Sequence, residues 1–332
     1  MTGFALPKTP IPTFQHPWPP VVNPGVDTAE QHAVSWAKQM RLIEGEASER
    51  AIVRMGYGRC AAYTFSEASI DDLLLCTEWL VWIFALDDRH AHHLHHGGTQ
   101  WQSFARRISA AVDGTMPEVE PDPLVRATRD LCARTFARTS SRMRTRIVDH
   151  IAKLLAGFRR ETYYQRDNLP GVDDFISTRR LNAGMYLFCD LLELVERADL
   201  PEAVHRSTEY QMLLDGATDV GAWQNDMLSL SKEEVRGEVS NLVLVVQHAA
   251  SLNRTEAMED VAVRIRGRIA DFDLAEAAVP AMLAGEDLPA GTRQAVERCA
   301  QGLRQWVNGF LMWSLDTGRY GAEVSTAFAV AH

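Results

Sequence analysis

SIDDLLLCTEWLVWIFALDD, residues 69–88, is the stretch on which the fold turns. From Leu73 to Leu86 apolar side chains occupy nearly every face of a helical wheel, broken by Glu78. A helix that is hydrophobic all round belongs inside its protein. The run is too short and too polar for a membrane span. It passes straight into Asp87 and Asp88. Taken as the end of the helix, this carboxylate pair stands where the macrodipole favours cations. A group of arginines and lysines, or a bound cation, is expected to meet it. The next residues, RHAHHLHH, bring in His90, His92, His93, His95 and His96. They read as a solvated loop, with a zinc site as the alternative. Their spacing fits no closed structural zinc pattern, and no cysteine is near in sequence.

Outward from this helix the chain reads as helix after helix. TAEQHAVSWAKQMRLI, DPLVRATRDLCARTFART and STEYQMLLDGATDVGAWQNDMLSL carry the same spacing, and strand signals are nearly absent. Breaks rich in Gly, Pro and Asp fall at 114–123, 167–174, 198–201 and 284–291. None resembles a long interdomain linker, so residues 28–332 are expected to form a single α-helical domain. Before it lies a Pro-rich arm, residues 1–27, holding seven of the fourteen prolines. Proline removes a backbone donor and fixes φ, so the arm is expected to be extended. It is either a free tail or a strap over the body anchored by Phe14 and Trp18.

The 332 residues are 46% apolar with a formal net charge of −10. That is ample for a large core, and the absence of a basic stripe argues against nucleic acid. Cys60, Cys76, Cys132, Cys189 and Cys299 are odd in number and scattered. This suits a reducing compartment rather than a disulfide framework. With no signal peptide in view, a cytoplasmic location is expected.

A partner for the aspartates lies 138 residues beyond Asp87. In NDMLSLSKEEVRGEVSN, residues 225–241, Asn225, Ser229 and Glu233 are spaced four apart. On a helix they share one face. An amide oxygen, a hydroxyl and a carboxylate make a hard half-shell suited to Mg²⁺. Lys232 sits at its rim. Two oxygen-rich half-sites on helices with apolar upstream segments describe a greasy cavity with a metal-lined mouth. The ligand that fits has a diphosphate head and a hydrocarbon tail. TRRLNAG offers Arg179 and Arg180, and LMWSLDTGRY offers Arg319 and Tyr320, as donors to phosphate oxygens.

Together these residues resemble the bacterial class I terpene synthases. Asp87–Asp88 looks like the Asp-rich motif, and N225-D226-M-L-S229-L-S-K232-E233 like the NSE triad with its lysine. Arg319–Tyr320, after W313-S314 and T317, looks like the C-terminal Arg–Tyr pair. Arg179 lies 46 residues before Asn225, where the family places its diphosphate sensor. The Pro-rich arm also has a counterpart there, so the likeness covers essentially the whole chain. It implies an all-α, class I terpenoid synthase-like bundle around an apolar cavity.

The resemblance implies Mg²⁺-dependent ionisation and cyclisation of an isoprenyl diphosphate, with farnesyl diphosphate favoured. Geranyl and geranylgeranyl diphosphates are the alternatives. It implies three Mg²⁺ ions, two on Asp87 and one on Asn225, Ser229 and Glu233. Arg179, Lys232, Arg319 and Tyr320 would then neutralise the departing diphosphate. One departure is Ala91, where the family often carries a third acid, so Asp87 is expected to bridge the metals with Asp88 behind it. Ala183 falls at the position whose backbone carbonyl assists ionisation, after Asn182. Phe84 and Trp313, then Phe188 and Trp223, are the expected cavity walls. A chain-elongating prenyltransferase would show a second Asp-rich motif in place of Asn225, Ser229 and Glu233. A remote alternative is a non-catalytic, His-rich metal-binding helical protein. The enzyme is expected to work as a monomer or homodimer, away from membranes.

Overall fold

The computed structural model describes residue 16 and residues 18–95, 99–285 and 288–320. Phe14 and His96 lie outside them. Among the described residues there is no β-strand, only an isolated bridge between Gln165 and Asn168. The helices run in chain order as α1 (Val26–Gln39), α2 (Gly45–Met55), α3 (Tyr57–Thr64), α4 (Ile70–His95) and α5 (Thr99–Asp113). They continue as α6 (Pro123–Phe136), α7 (Ser141–Glu161), α8 (Val172–Asn182), α9 (Met185–Val195) and α10 (Glu202–Arg206). The last are α11 (Thr208–Arg236), α12 (Leu242–Ala249), α13 (Arg254–Gly285) and α14 (Ala290–Asp316), followed by a 3₁₀ turn at Gly318–Tyr320.

The ends of these helices follow local chemistry. The side chains of Asp122, Ser140, Ser207 and Asn241 each accept a hydrogen bond from a backbone N–H of the first turn of α6, α7, α11 and α12. Between α8 and α9 the chain turns at Gly184, whose φ is +72°. A side chain there would meet Ile83 Cδ1 at 2.9 Å, so backbone conformation and space both require glycine.

α4 and α11 are the central rods. On α4, Trp79 and Trp82 face α6, where their indoles donate to Thr135 Oγ1 (3.0 Å) and Thr128 Oγ1 (2.8 Å). Glu78, the charge inside the apolar run, is buried against His32 (2.7 Å) and Arg134. The opposite face of α4, Leu80, Phe84, Asp87, Ala91 and Leu94, turns inward to a cavity. α11 packs against α8, α9, α12, α13 and α14. At the N-terminal end Asn23 is buried, its Nδ2 donating to the carbonyls of Ala68 (2.8 Å) and Ser66 (3.1 Å). Trp18 lies against Phe272 and under the guanidinium of Arg304. Cys60, Cys76, Cys132 and Cys299 are buried and Cys189 half-buried, all unpaired.

The sequence reading placed the end of the helix at Asp88 and a histidine loop after it. The structure corrects both. α4 continues two turns further, to His95. It does so because His90 and His93 have an apolar surface to cover: both are buried, among Trp101, Phe104 and Phe158. Asp87 and Asp88 therefore sit inside the helix and not at its negative end.

Candidate active site

A cavity of about 350 Å³ opens between α4, the C-terminal end of α7, the α8–α9 junction, α11 and α14. One end is apolar, walled by Leu80, Ile83, Met185, Phe188, Trp306 and Phe310. The other is ionic, with Asp87, Glu161, Arg179, Asn225, Lys232, Glu233, Glu238 and Arg319. Periodicity builds this polarity. On α4, Leu80, Phe84 and Asp87 step along one face toward the mouth. On α11, Gly221, Asn225 and Glu233 do the same.

The ionic end is joined by a chain of contacts across distant sequence. Arg319 donates from Nη2 to Asp87 Oδ2 (2.9 Å) and to Asp88 Oδ1 (3.2 Å), and from Nη1 to Tyr57 Oη (3.1 Å). Arg236 adds a second cation to Asp88 at 3.4 Å. The positive partner expected for the aspartate pair is thus a pair of arginines. Asn225 donates from Nδ2 to Tyr320 Oη (2.7 Å) and accepts at Oδ1 from Arg179 Nη2 (2.9 Å). Arg179 is anchored by Asp226 (2.7 Å) and reaches Asn182 Oδ1 (3.2 Å). Lys232 Nζ lies 5.9 Å from the Tyr320 ring centre. Ser229 is fully buried and donates to the carbonyl of Asn225 (2.6 Å), which leaves its lone pairs free. Glu233 Oε2 accepts from Asn241 (2.8 Å).

Charge states follow from this arrangement. Burial pushes the Asp87 carboxyl up, but Arg319, Lys232 and Arg179 outweigh it and hold the group below its ordinary value. Burial raises Asp226 to about 6 against the pull of Arg179. Glu161 and Glu238 are both pushed up to about 8, chiefly by burial. His90 is held down at about 4 by burial, so it is neutral, with Nε2 on the carbonyl of Phe158 (2.9 Å).

Phe84, Ala183 and Phe188 line the cavity as expected from the sequence. Trp313 and Trp223 do not, and this corrects the reading. Trp313 stands behind Phe84 and Phe310, at ring distances of 5.1 and 5.4 Å, and its indole donates to Met55 O (2.8 Å). Trp223 lies two residues before Asn225, about 200° around the helix, and packs near Arg268. Arg180, offered as a phosphate donor, turns away to Asp219 (2.7 Å) and Asp215 (3.0 Å). Asp88 and Tyr320 stand just behind the lining, bonded to residues in it. The sequence reading missed Glu161, Glu238, Trp306 and Phe310. Trp306 and Phe310 stand four apart on one face of α14, a helical spacing visible in the sequence.

The donor set is hard: the carboxylates of Asp87 and Glu233 and the amide oxygen of Asn225 line the cavity with no cysteine among them, while the hydroxyl of Ser229 is buried on the same helix, outside the lining. That chemistry fits Mg²⁺. Among the described residues no three His, Cys, Asp or Glu side chains group as ligands of a metal ion.

Residues 78–271 match the family model described as terpene synthase family 2, C-terminal metal binding. Pristinol synthase of Streptomyces pristinaespiralis is 30% identical, over 92% of this chain and 83% of that protein. The (+)-T-muurolol synthase of Roseiflexus castenholzii, described as cyclising (2E,6E)-farnesyl diphosphate, is 28% identical over 92% of each. The structure of wild-type cucumene synthase superposes with a TM-score of 0.81 at 26% identity, covering 92% of this chain and 100% of that one.

Proposed function

Because the chain belongs to the terpene synthase family, we propose that it ionises farnesyl diphosphate with Mg²⁺ and cyclises the fifteen-carbon cation to a terpene hydrocarbon or alcohol. The observation that carries this reading is the polarity of the cavity: hard oxygen donors and arginines at one end, aromatic and aliphatic walls at the other. Farnesyl as substrate is supported by the relative described as cyclising that diphosphate. A volume of about 350 Å³ also suits a single modest chain, being near the low end of the roughly 300–1,000 Å³ common for ligand sites.

Asp87 would hold two Mg²⁺ ions, and Asn225, Ser229 and Glu233 the third. Bound there, the ions supply Lewis acidity that stabilises the leaving diphosphate. Arg179, Lys232, Arg319 and Tyr320 donate hydrogen bonds to its oxygens as negative charge builds. The allylic C–O bond breaks with its electron pair going to diphosphate, and an allylic cation remains. The carbonyl of Ala183, a lining residue beside the α8–α9 turn, would assist ionisation as the resemblance implies. Phe84, Phe188, Trp306 and Phe310 form the aromatic part of the wall around the cation, and the apolar end keeps water away until a proton is lost or one water adds. Unpaired cysteines suit a cytoplasmic enzyme, working as a monomer or homodimer. No described helix is long and apolar enough to cross a membrane.

The test is incubation of the purified protein with geranyl, farnesyl and geranylgeranyl diphosphates, followed by diphosphate assay and gas chromatography. Turnover of farnesyl diphosphate that stops on chelation of Mg²⁺ is expected. Folded protein that releases diphosphate from none of the three overturns the proposal.

A further inference from the structure

Gly221 lies on α11 one turn before Asn225, which places it roughly 6 Å deeper than the ionic mouth. It lines the cavity together with Met185, the first residue of α9, and Trp306 of α14. A Cβ built on Gly221 collides with Met185 Cε and comes within 3.4 Å of Trp306 Cζ3. The Met185 thioether therefore occupies the space that any side chain at 221 would take. Its backbone is fixed just after the left-handed Gly184, so only its flexible side chain can give way. Trp306 cannot move to make room, because it is stacked between Phe188 (6.0 Å) and Phe310 (5.1 Å). Below this level α11 carries Ala217 and Thr218, both buried and neither in the cavity lining.

We infer that the Gly221–Met185 contact is the floor of the cavity on its α11 side and selects the length of the isoprenyl chain. The inference rests on the proposed reaction with an isoprenyl diphosphate and names the two residues that set its limit. Met185 reaches the floor only because position 221 has no side chain. A methyl at 221 drives Met185 up into the cavity and shortens it. Truncation of Met185 opens the floor toward α9. The two changes together exchange one volume for another.

The experiment measures kcat/KM with geranyl, farnesyl and geranylgeranyl diphosphates for the wild type, Gly221→Ala, Met185→Ala, Met185→Leu and the double alanine variant. One methylene in an apolar pocket shifts selectivity by about 10–200-fold. Gly221→Ala is expected to lower the farnesyl-to-geranyl ratio at least tenfold. Met185→Ala is expected to raise the geranylgeranyl-to-farnesyl ratio at least tenfold. Met185→Leu, which conserves volume, keeps the wild-type ratios, and the double variant returns toward them. Alanine is a better helix former than glycine, so Gly221→Ala is not endangered by propensity, and circular dichroism checks the fold of each variant. Folded Gly221→Ala and Met185→Ala variants whose three ratios stay within twofold of wild type overturn the inference. Wild-type protein inactive on all three substrates would instead overturn the reaction itself.

Discussion

Glu161 closes α7 with its carboxyl turned into the cavity, hydrogen-bonded by Ser240 and 3.4 Å from His90 Nδ1. Burial pushes it up from 4.5 to about 8, so between these values the folded protein holds a proton that the unfolded chain has lost. Stability falls wherever the native state binds more protons than the unfolded state. The contribution of Glu161 is thus complete below about 4.5 and lost as pH rises through 8. His90, lowered from 6.5 to about 4, works in the opposite sense but only below 6.5. The melting temperature of the metal-free protein should therefore fall between pH 6.5 and 8. Glu161→Gln should flatten that fall, leaving the part due to Glu238; a wild-type midpoint that rises across the window contradicts this. Glu161 was not legible in the sequence, because it belongs to no spacing pattern and reaches the cavity only through the packing of α7 on α8. Asn225, Ser229 and Glu233 were legible as a hard-oxygen set through helical periodicity, while Asp87 was singled out by a helix-end placement that the structure corrects. Arg179, Lys232 and Arg319 were offered as phosphate partners by their residue types, and family resemblance singled them out from other cations. Trp223 and Trp313 show the limit: composition marks an aromatic, but only packing decides which side it faces.

At the scale of elements, the breaks at 114–123, 167–174 and 284–291 fall between helices because Gly, Pro and Asp act locally. The end of α4 was misjudged because its last two turns are stabilised by contacts with Trp101 and Phe158, which no local signal announces. The α8–α9 junction joins a local requirement to a distant one. Alanine at Gly184 must adopt φ near +72° and press against Ile83 on α4. Strain of this kind costs on the order of 1–3 kcal/mol. Gly184→Ala should lose about that much stability in urea denaturation. A change under about 0.5 kcal/mol would show that the turn relaxes freely.

Over the whole molecule, the ionic mouth is balanced within itself: Arg319 rests on Asp87 and Asp88, and Arg179 on Asp226 and Asn225. A cation arriving alone meets the arginines, and an anion arriving alone meets the carboxylates. Both together satisfy every group. Mg²⁺ with inorganic diphosphate should therefore raise the melting temperature, while either alone should do little. Ligand at a hundredfold its Kd adds about 2.7 kcal/mol; equal shifts from one component alone would contradict this coupling. The cysteines carry a different consequence. Four are buried and Cys189 is half-buried, and burial holds each thiol in its protonated, unreactive form. A maleimide dye finds no ready handle on the native chain. A single cysteine introduced at exposed Val119 or Leu315 then becomes the sole attachment point for a fluorophore or a solid support, with no native residue replaced to clear the way.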